Sequence, residues 1–299
     1  MTKTLELLGY APDDRVLIIH ADDVGFSHGS NVAAFEAMER GSLTCCSTLV
    51  PGPWFMETAR LQRQHPDADI GVHMTLTAEY ETYRWRSLTG DPSLHAPDGG
   101  VWRDLAGVIE HVSAEVAAAE LRAQVELALA SGIDVTHLDT HMGAVMLPRY
   151  LPAYIDLAIE FRLPVFFPRM NDRRLAAQGE GGAIYADQSA RLEALGWPLL
   201  DTIIHRTLSE IDPEAKAATF REYLDSLRPG LTHFLVHPCQ DGGELAAMTP
   251  EDGAHRAAEY EIMRRPDIRE HCERQGIKLT GYRAIRDRLR ASLPHLNGM

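Results

Sequence analysis

The sequence predicts an α/β fold, a (β/α) barrel, TIM-like or distorted, with parallel strands ringed by helices. Three observations carry this. Short apolar runs alternate with longer segments of helical period about eight times along the chain, the pattern of βα units around a parallel sheet. No Gly- or Ser-rich linker divides the 299 residues, so one domain over 1–299 is expected. Polar residues gather at the C-terminal ends of the apolar runs, where barrels of this kind build their sites. A doubly wound open sheet shares the alternation and is the second topology.

The elements follow in order. VLIIH (16–20) reads as a strand, and Ser30 to Arg40 as a helix with Ser27 or Ser30 as N-cap and Gly41 at its end. TCCSTLV (44–50) is the second strand, whose adjacent Cys45 and Cys46 face opposite sides. A helix around Trp54 to His65 leads to IGVHMTL (70–76). SAEVAAAELRAQVELALASG (113–132) is the clearest helix, capped by Ser113, ended by Gly132 and striped by Val116, Leu121, Val125 and Leu129. IDVTHLDTH (133–141), LPVFFPR (163–169), LLDTIIH (199–205), THFLVHP (232–238) and IKLTG (277–281) are strand-like, with helices near 149–161, 188–196, 212–227 and 251–274. Thr77 to Val112 has no clear period and holds Tyr80, Tyr83, Trp85 and Trp102. A connection of that length reads as a lid or binding loop, or as a surface excursion with its own small core.

Charge and composition narrow the function. With 29 basic and 43 acidic residues the net charge is −14, which argues against nucleic acid or an anionic membrane as partner. The start of the chain has no signal-peptide pattern and no run reaches membrane-spanning length. Four cysteines form no CxxC pair, so neither a structural zinc site nor a disulfide framework is signalled. A cytoplasmic protein with reduced thiols is expected.

The polar exceptions are Asp22 and Asp23 after the first strand, His73 in the third, Asp139 and His141 in the fourth, Arg169 after the fifth and His237 ending the seventh. Taken singly, each has a plain reading: an aspartate caps a turn, and a histidine sits satisfied in a core. His20, His205 and His233 are read in that structural way. Taken together, one Asp and two His form a ligand set that suits zinc, cobalt or another divalent ion, and three protein ligands leave positions open for water or substrate. One of the adjacent acids can then bind the cation while the other stays free as a base. Spacing does not say which.

ADDVGFS, GVHMTL, THLDTHMG and LVHP occur in this order. They resemble the motifs of the YdjC-like carbohydrate deacetylases, the family of the chitooligosaccharide deacetylase and of a hopanoid-biosynthesis deacetylase, over Leu17 to about Arg283. The resemblance implies a barrel related to the polysaccharide deacetylases and metal-dependent removal of an acetyl group from an N-acetylated sugar or small oligosaccharide. By motif, Asp22 is the expected base and His237 the general acid. Asp23, His73 and His141 are the expected ligands of one divalent ion, with zinc preferred over magnesium, cobalt or nickel. Glu79, Trp85 and Arg169 are candidates for sugar contact. Asp139 either orients a histidine or bonds to backbone at the rim. Arg256 either positions Asp22 or is a solvated helix arginine, the simpler reading. Many relatives carry a second histidine where this chain reads HMGAVM, which implies a different substrate pocket. The expected partner is a small-molecule carbohydrate, with a homodimer left open. Two readings compete: a metal-dependent phosphoesterase, which would want more histidine ligands and cationic residues, and a non-catalytic sugar-binding protein, against which the intact Asp pair and two His stand.

Overall fold

The computed structural model describes residues 3–205 and 210–293. Its first half runs α1 (Lys3–Leu8), β1 (Arg15–Val24), α2 (His28–Glu39), β2 (Cys45–Thr48), α3 (Phe55–Gln64), β3 (Ile70–Met74), α4 (Leu105–His111), α5 (Ala114–Ala130) and β4 (Val135–Thr140). Its second half runs α6 (Leu151–Phe161), α7 (Asp172–Ala177), α8 (Gly182–Ala194), β5 (Thr202–Ile204), α9 (Pro213–Asp225), β6 (Gly230–Val236), α10 (Gly243–Met248), α11 (Gly253–Met263), α12 (Asp267–Arg274), β7 (Lys278–Leu279) and α13 (Tyr282–Ser292).

The strands are parallel, in the order β4-β3-β2-β1-β6-β5. The short β7 pairs with Val16 and Leu17 at the start of β1, on the edge that β2 takes over from His20 onward. The sheet curls into a half-barrel. Single bridges from Leu138 to Val165 and from Pro168 to Leu200 carry parallel bonding across the remaining side. The (β/α) barrel class is therefore the observed one, in a distorted form.

β1 shows why its apolar run is continuous: Val16, Leu17, Ile18 and Ile19 are all fully buried, as a strand covered on both faces requires. Leu17 and Ile19 join the large core beneath the helices. Val16 and Ile18 turn inward with Cys45, Leu200 and Leu231, and α1 and α13 close over them through Leu5, Leu8, Tyr282 and Ile285. Cys45 and Cys46 fall in different clusters, on opposite faces as expected. By the same alternation His20 lies inward, above Ile18.

Several expectations are corrected. The long helix expected over 251–274 is two, α11 and α12, because Pro266 lacks the N–H and its ring blocks the preceding turn. The segment 163–169 makes single bridges instead of a strand, since Pro164 and Pro168 cannot donate to a ladder. Ser113 caps α5 as expected, but Leu129 is 43% exposed; the buried face is Ala117, Leu121, Gln124, Val125 and Ala128. The helices α1, α4, α7, α10 and α13 were not foreseen. Residues 77–112 hold a satellite core of Ala78, Tyr80, Trp85 and Val101 packed on Phe26, Leu49 and Met248. Buried Glu120 of α5 ties this segment down by accepting from the backbone N–H groups of Leu88 and Thr89.

Candidate functional site

The site begins at an irregularity in β1. His20 and Ala21 pair with Cys45 and Cys46, then Val24 pairs with Thr48, so Asp22 and Asp23 together span the place of Ser47. That is a β-bulge, and Asp23 sits in the left-handed region at φ 62°. Adjacent side chains of a regular strand point to opposite faces; here both carboxylates line one cavity of about 410 Å³. Gly25 follows at φ 87°, where a Cβ would lie 2.8 Å from Thr48 Oγ1. Ser27 then starts α2 with a reciprocal capping box through Ser30.

Asp23 Oδ1 lies 3.3 Å from His73 Nε2 and 3.2 Å from His141 Nδ1, yet it is buried without a hydrogen-bond partner. The far nitrogen of each ring is already committed. His73 Nδ1 is 2.9 Å from Asp139 Oδ1, whose other oxygen accepts from Ser47 Oγ at 2.7 Å. His141 Nε2 is 2.8 Å from Glu79 Oε2. Ionised carboxylates only accept, so those far nitrogens carry protons, and when the rings are neutral the lone pairs of His73 Nε2 and His141 Nδ1 face Asp23. Bonds of about 2.0–2.1 Å to a tetrahedral ion would set donor atoms about 3.3 to 3.4 Å apart. The orphaned oxygen, the two free imidazole nitrogens and their spacing fit a divalent cation of the zinc class.

The electrostatics agree. Burial opposes charge on His141, but Glu79 and Asp23 outweigh it and raise the ring to about 9. Burial opposes His73 too, and Asp139 and Asp23 raise it well above its ordinary value. Asp23 is likewise penalised by burial, yet the Arg256 guanidinium and the two imidazoles hold its carboxyl well below the usual range. The acids thus create a place that wants positive charge.

Arg256 is a correction: it is not a solvated helix arginine, and its carboxylate partner is Asp23 rather than Asp22. It is 7% exposed, and it donates to Asp23 Oδ2 at 2.8 Å and to Tyr80 Oη at 3.0 Å. Asp22 takes different neighbours. Its Oδ1 lies 2.7 Å from His20 Nδ1, and its Oδ2 lies 3.8 Å from His237 Nε2. His237 follows β6, with its backbone N–H donated to Glu259 Oε2 at 2.6 Å.

The structure gathers Asp22, Asp23, His73, Glu79, His141 and His237 around the cavity, with Asp139 behind His73 and Met142, Met146, Phe166 and Leu235 as apolar wall. His205, read as structural, also lines it. Two sugar-contact candidates do not. Arg169 bonds Asp201 at 3.2 Å and Glu193 at 3.1 Å away from the cavity, because the Pro168–Leu200 bridge brings it beside Asp201 and Glu193 on α8 lies within its reach. Trp85 is 3% exposed and packs its ring 5.8 Å from that of His141. Ser47 and the contact of His20 with Asp22 lie outside the sequence expectations. His20 stands two residues before Asp22 on one strand, and that spacing was the available signal.

A family model described as YdjC-like protein matches residues 16–274. The chain is 32% identical to a carbohydrate deacetylase of Thermus thermophilus, covering 89% of this chain and 92% of that one. It is 23% identical to a carbohydrate deacetylase of Thermoanaerobacter pseudethanolicus, covering 91% of this chain and 100% of that one. A crystal structure of an Enterococcus faecalis protein, proposed to cleave cellobiose phosphate, shares the fold with a TM-score of 0.73 at 24% identity, over 91% of this chain and 99% of that one. On the reach of the family match and the identity to the Thermus protein, the chain belongs to the YdjC-like family.

Proposed function

We propose that the chain is a metal-dependent carbohydrate deacetylase that hydrolyses the acetamide of an N-acetylated sugar or short oligosaccharide. The observation that carries the reading is the pairing of a cation-ready cluster, Asp23, His73 and His141, with a second carboxylate, Asp22, in the same cavity. Relatives named carbohydrate deacetylases support the substrate class. Asp23, His73 and His141 would hold the ion, zinc first among magnesium, cobalt and nickel because two imidazoles favour a transition metal. A cation there supplies Lewis-acid polarisation of the amide carbonyl and a more acidic water.

The chain's own groups do the rest. Asp22 takes the proton of the attacking water. His237 faces it across the cavity and gives a proton to the amine nitrogen as the C–N bond breaks. Asp139 and Glu79 keep the ligand imidazoles in the required tautomer. Arg256 neutralises the Asp23 oxygen turned away from the cluster. Residues 77–112 serve as the lid of a single catalytic domain, with Glu79 as its contribution to the cavity. Glu79 stays available to sugar hydroxyls. A phosphoesterase is the weaker reading, since among the described residues Arg256 is the one guanidinium lining the cavity and it is already paired with Asp23.

The test is acetate release from a panel of N-acetylated mono- and oligosaccharides with zinc, magnesium, cobalt or nickel, beside a generic phosphoester. Acetate from at least one sugar, abolished by chelation, is expected. Phosphoester cleavage without acetate, or tight sugar binding with no turnover at saturating metal, would sink it.

A further inference from the structure

The geometry points to His20 as a positioning residue that holds Asp22 in its working orientation from behind. It rests on the reading of Asp22 as base. His20 is fully buried and does not line the cavity, so it acts through Asp22. Its Nδ1 lies 2.7 Å from Asp22 Oδ1. A carboxylate only accepts, so that nitrogen carries the proton.

The ring is held at its other end as well. His20 Nε2 lies 2.8 Å from His137 Nε2, and His137 Nδ1 lies 3.0 Å from Thr136 Oγ1. His137 is itself clamped. It stacks on Tyr282 with centroids 3.9 Å apart, and a Cβ at Gly71 would fall 2.5 Å from its Cε1, so glycine there leaves room for the ring. The buried row Thr136–His137–His20 thus pins Oδ1 of Asp22. The carboxylate cannot rotate freely, and Oδ2, the oxygen nearer His237, stays turned to the cavity.

The experiment uses the metal-loaded full chain and the N-acetylated sugar that the wild type turns over. H20L is expected to lose about 10- to 100-fold in kcat, the scale of losing an orienting partner, with KM and metal affinity held. H20N places an amide N–H near the position of Nδ1 and is expected to recover most of that loss. A folded H20L with wild-type kcat, or H20N as slow as H20L, overturns the inference. His20, His137 and Asp139 also lie close enough to hold an ion; two bound equivalents in the wild type and one in H20N would overturn it in favour of a ligand role. Should H20L fail to fold, nitrogen-15 NMR of the histidine rings decides. A hydrogen-bonded Nδ1–H on His20 that shifts in Asp22→Ala supports the inference, and one that does not move overturns it. Failure of the wild type to release acetate refutes the functional reading alone, because the NMR readout needs no turnover.

Discussion

Asp22 and Asp23 carry the same side chain one peptide apart and meet opposite surroundings. Asp23 is ringed by a guanidinium and two imidazoles; Asp22 has one buried imidazole behind it and open cavity in front. That difference supports the roles proposed for them. Asp22→Asn keeps the shape and an acceptor for His20 but removes the base, so kcat should fall about 10²- to 10⁴-fold with metal affinity and melting temperature held. Wild-type turnover with metal bound would disprove the assignment. Arg256 is the second test at this scale. Removing one partner of a buried ion pair leaves an uncompensated charge, so Arg256→Met should cost the metal-free protein about 3–5 kcal/mol in urea unfolding. A cost under about 1 kcal/mol, the range of exposed pairs, would mean the imidazoles alone hold Asp23.

Elements matter here chiefly where they depart from regularity. The bulge in β1 converts two residues that should face apart into two that share a cavity. At the end of β4 the chain leaves the strand at His141 and passes through Met142 at φ 51° and Gly143 at φ 71°, which turns the polypeptide aside once the His141 imidazole is in place. Helix α5 supports the neighbouring strand end by a polar device. Gln124 accepts from the Thr75 N–H at 3.0 Å and donates to the Thr75 carbonyl at 2.7 Å. Gln124→Leu would strand both groups in the interior, each at about 1–3 kcal/mol. Chemical denaturation should show that loss, and metal affinity should weaken with it, because Thr75 lies two residues after His73. A neutral effect on both would show that water replaces the amide.

On the scale of the whole molecule, the cluster couples protonation to folding and, on the proposed metal role, to the cation. The folded state raises His141 from 6.5 to about 9. A raised histidine contributes stability that is complete below its unfolded value and is lost as pH climbs through its folded one. The metal-free protein should therefore lose melting temperature between about pH 6.5 and pH 9. Ligated imidazoles are unprotonated, so the metal-loaded protein should lack this fall, and metal affinity should weaken toward acid as protons compete. Scanning calorimetry with and without zinc measures both, and parallel curves would contradict the assignment of His141. The net charge of −14 adds nothing local to this, since exposed charges beyond about 10 Å are screened at ordinary salt.

The alternation of apolar runs and helical segments determined a parallel α/β fold by itself, because burial on both faces and a 3.6-residue period are local properties of a sequence, while the choice of a curled barrel over an open sheet came from the structure. The gathering of polar groups at strand ends was also legible in the sequence, and the four ordered motifs carried the proposed ligand set. What only the tertiary structure decided were the pairings: Arg256 with Asp23 across 233 residues, Asp139 with His73 across 66, His20 with His137 across 117, and the removal of Arg169 and Trp85 from the cavity. The reason is physical. A strand's own pattern says which way a side chain points, but a hydrogen bond needs a partner within about 3 Å, and partners from distant segments meet only when the sheet curls. The bulge at Asp22 and Asp23 belongs to the same class, since register is set by the neighbouring strand.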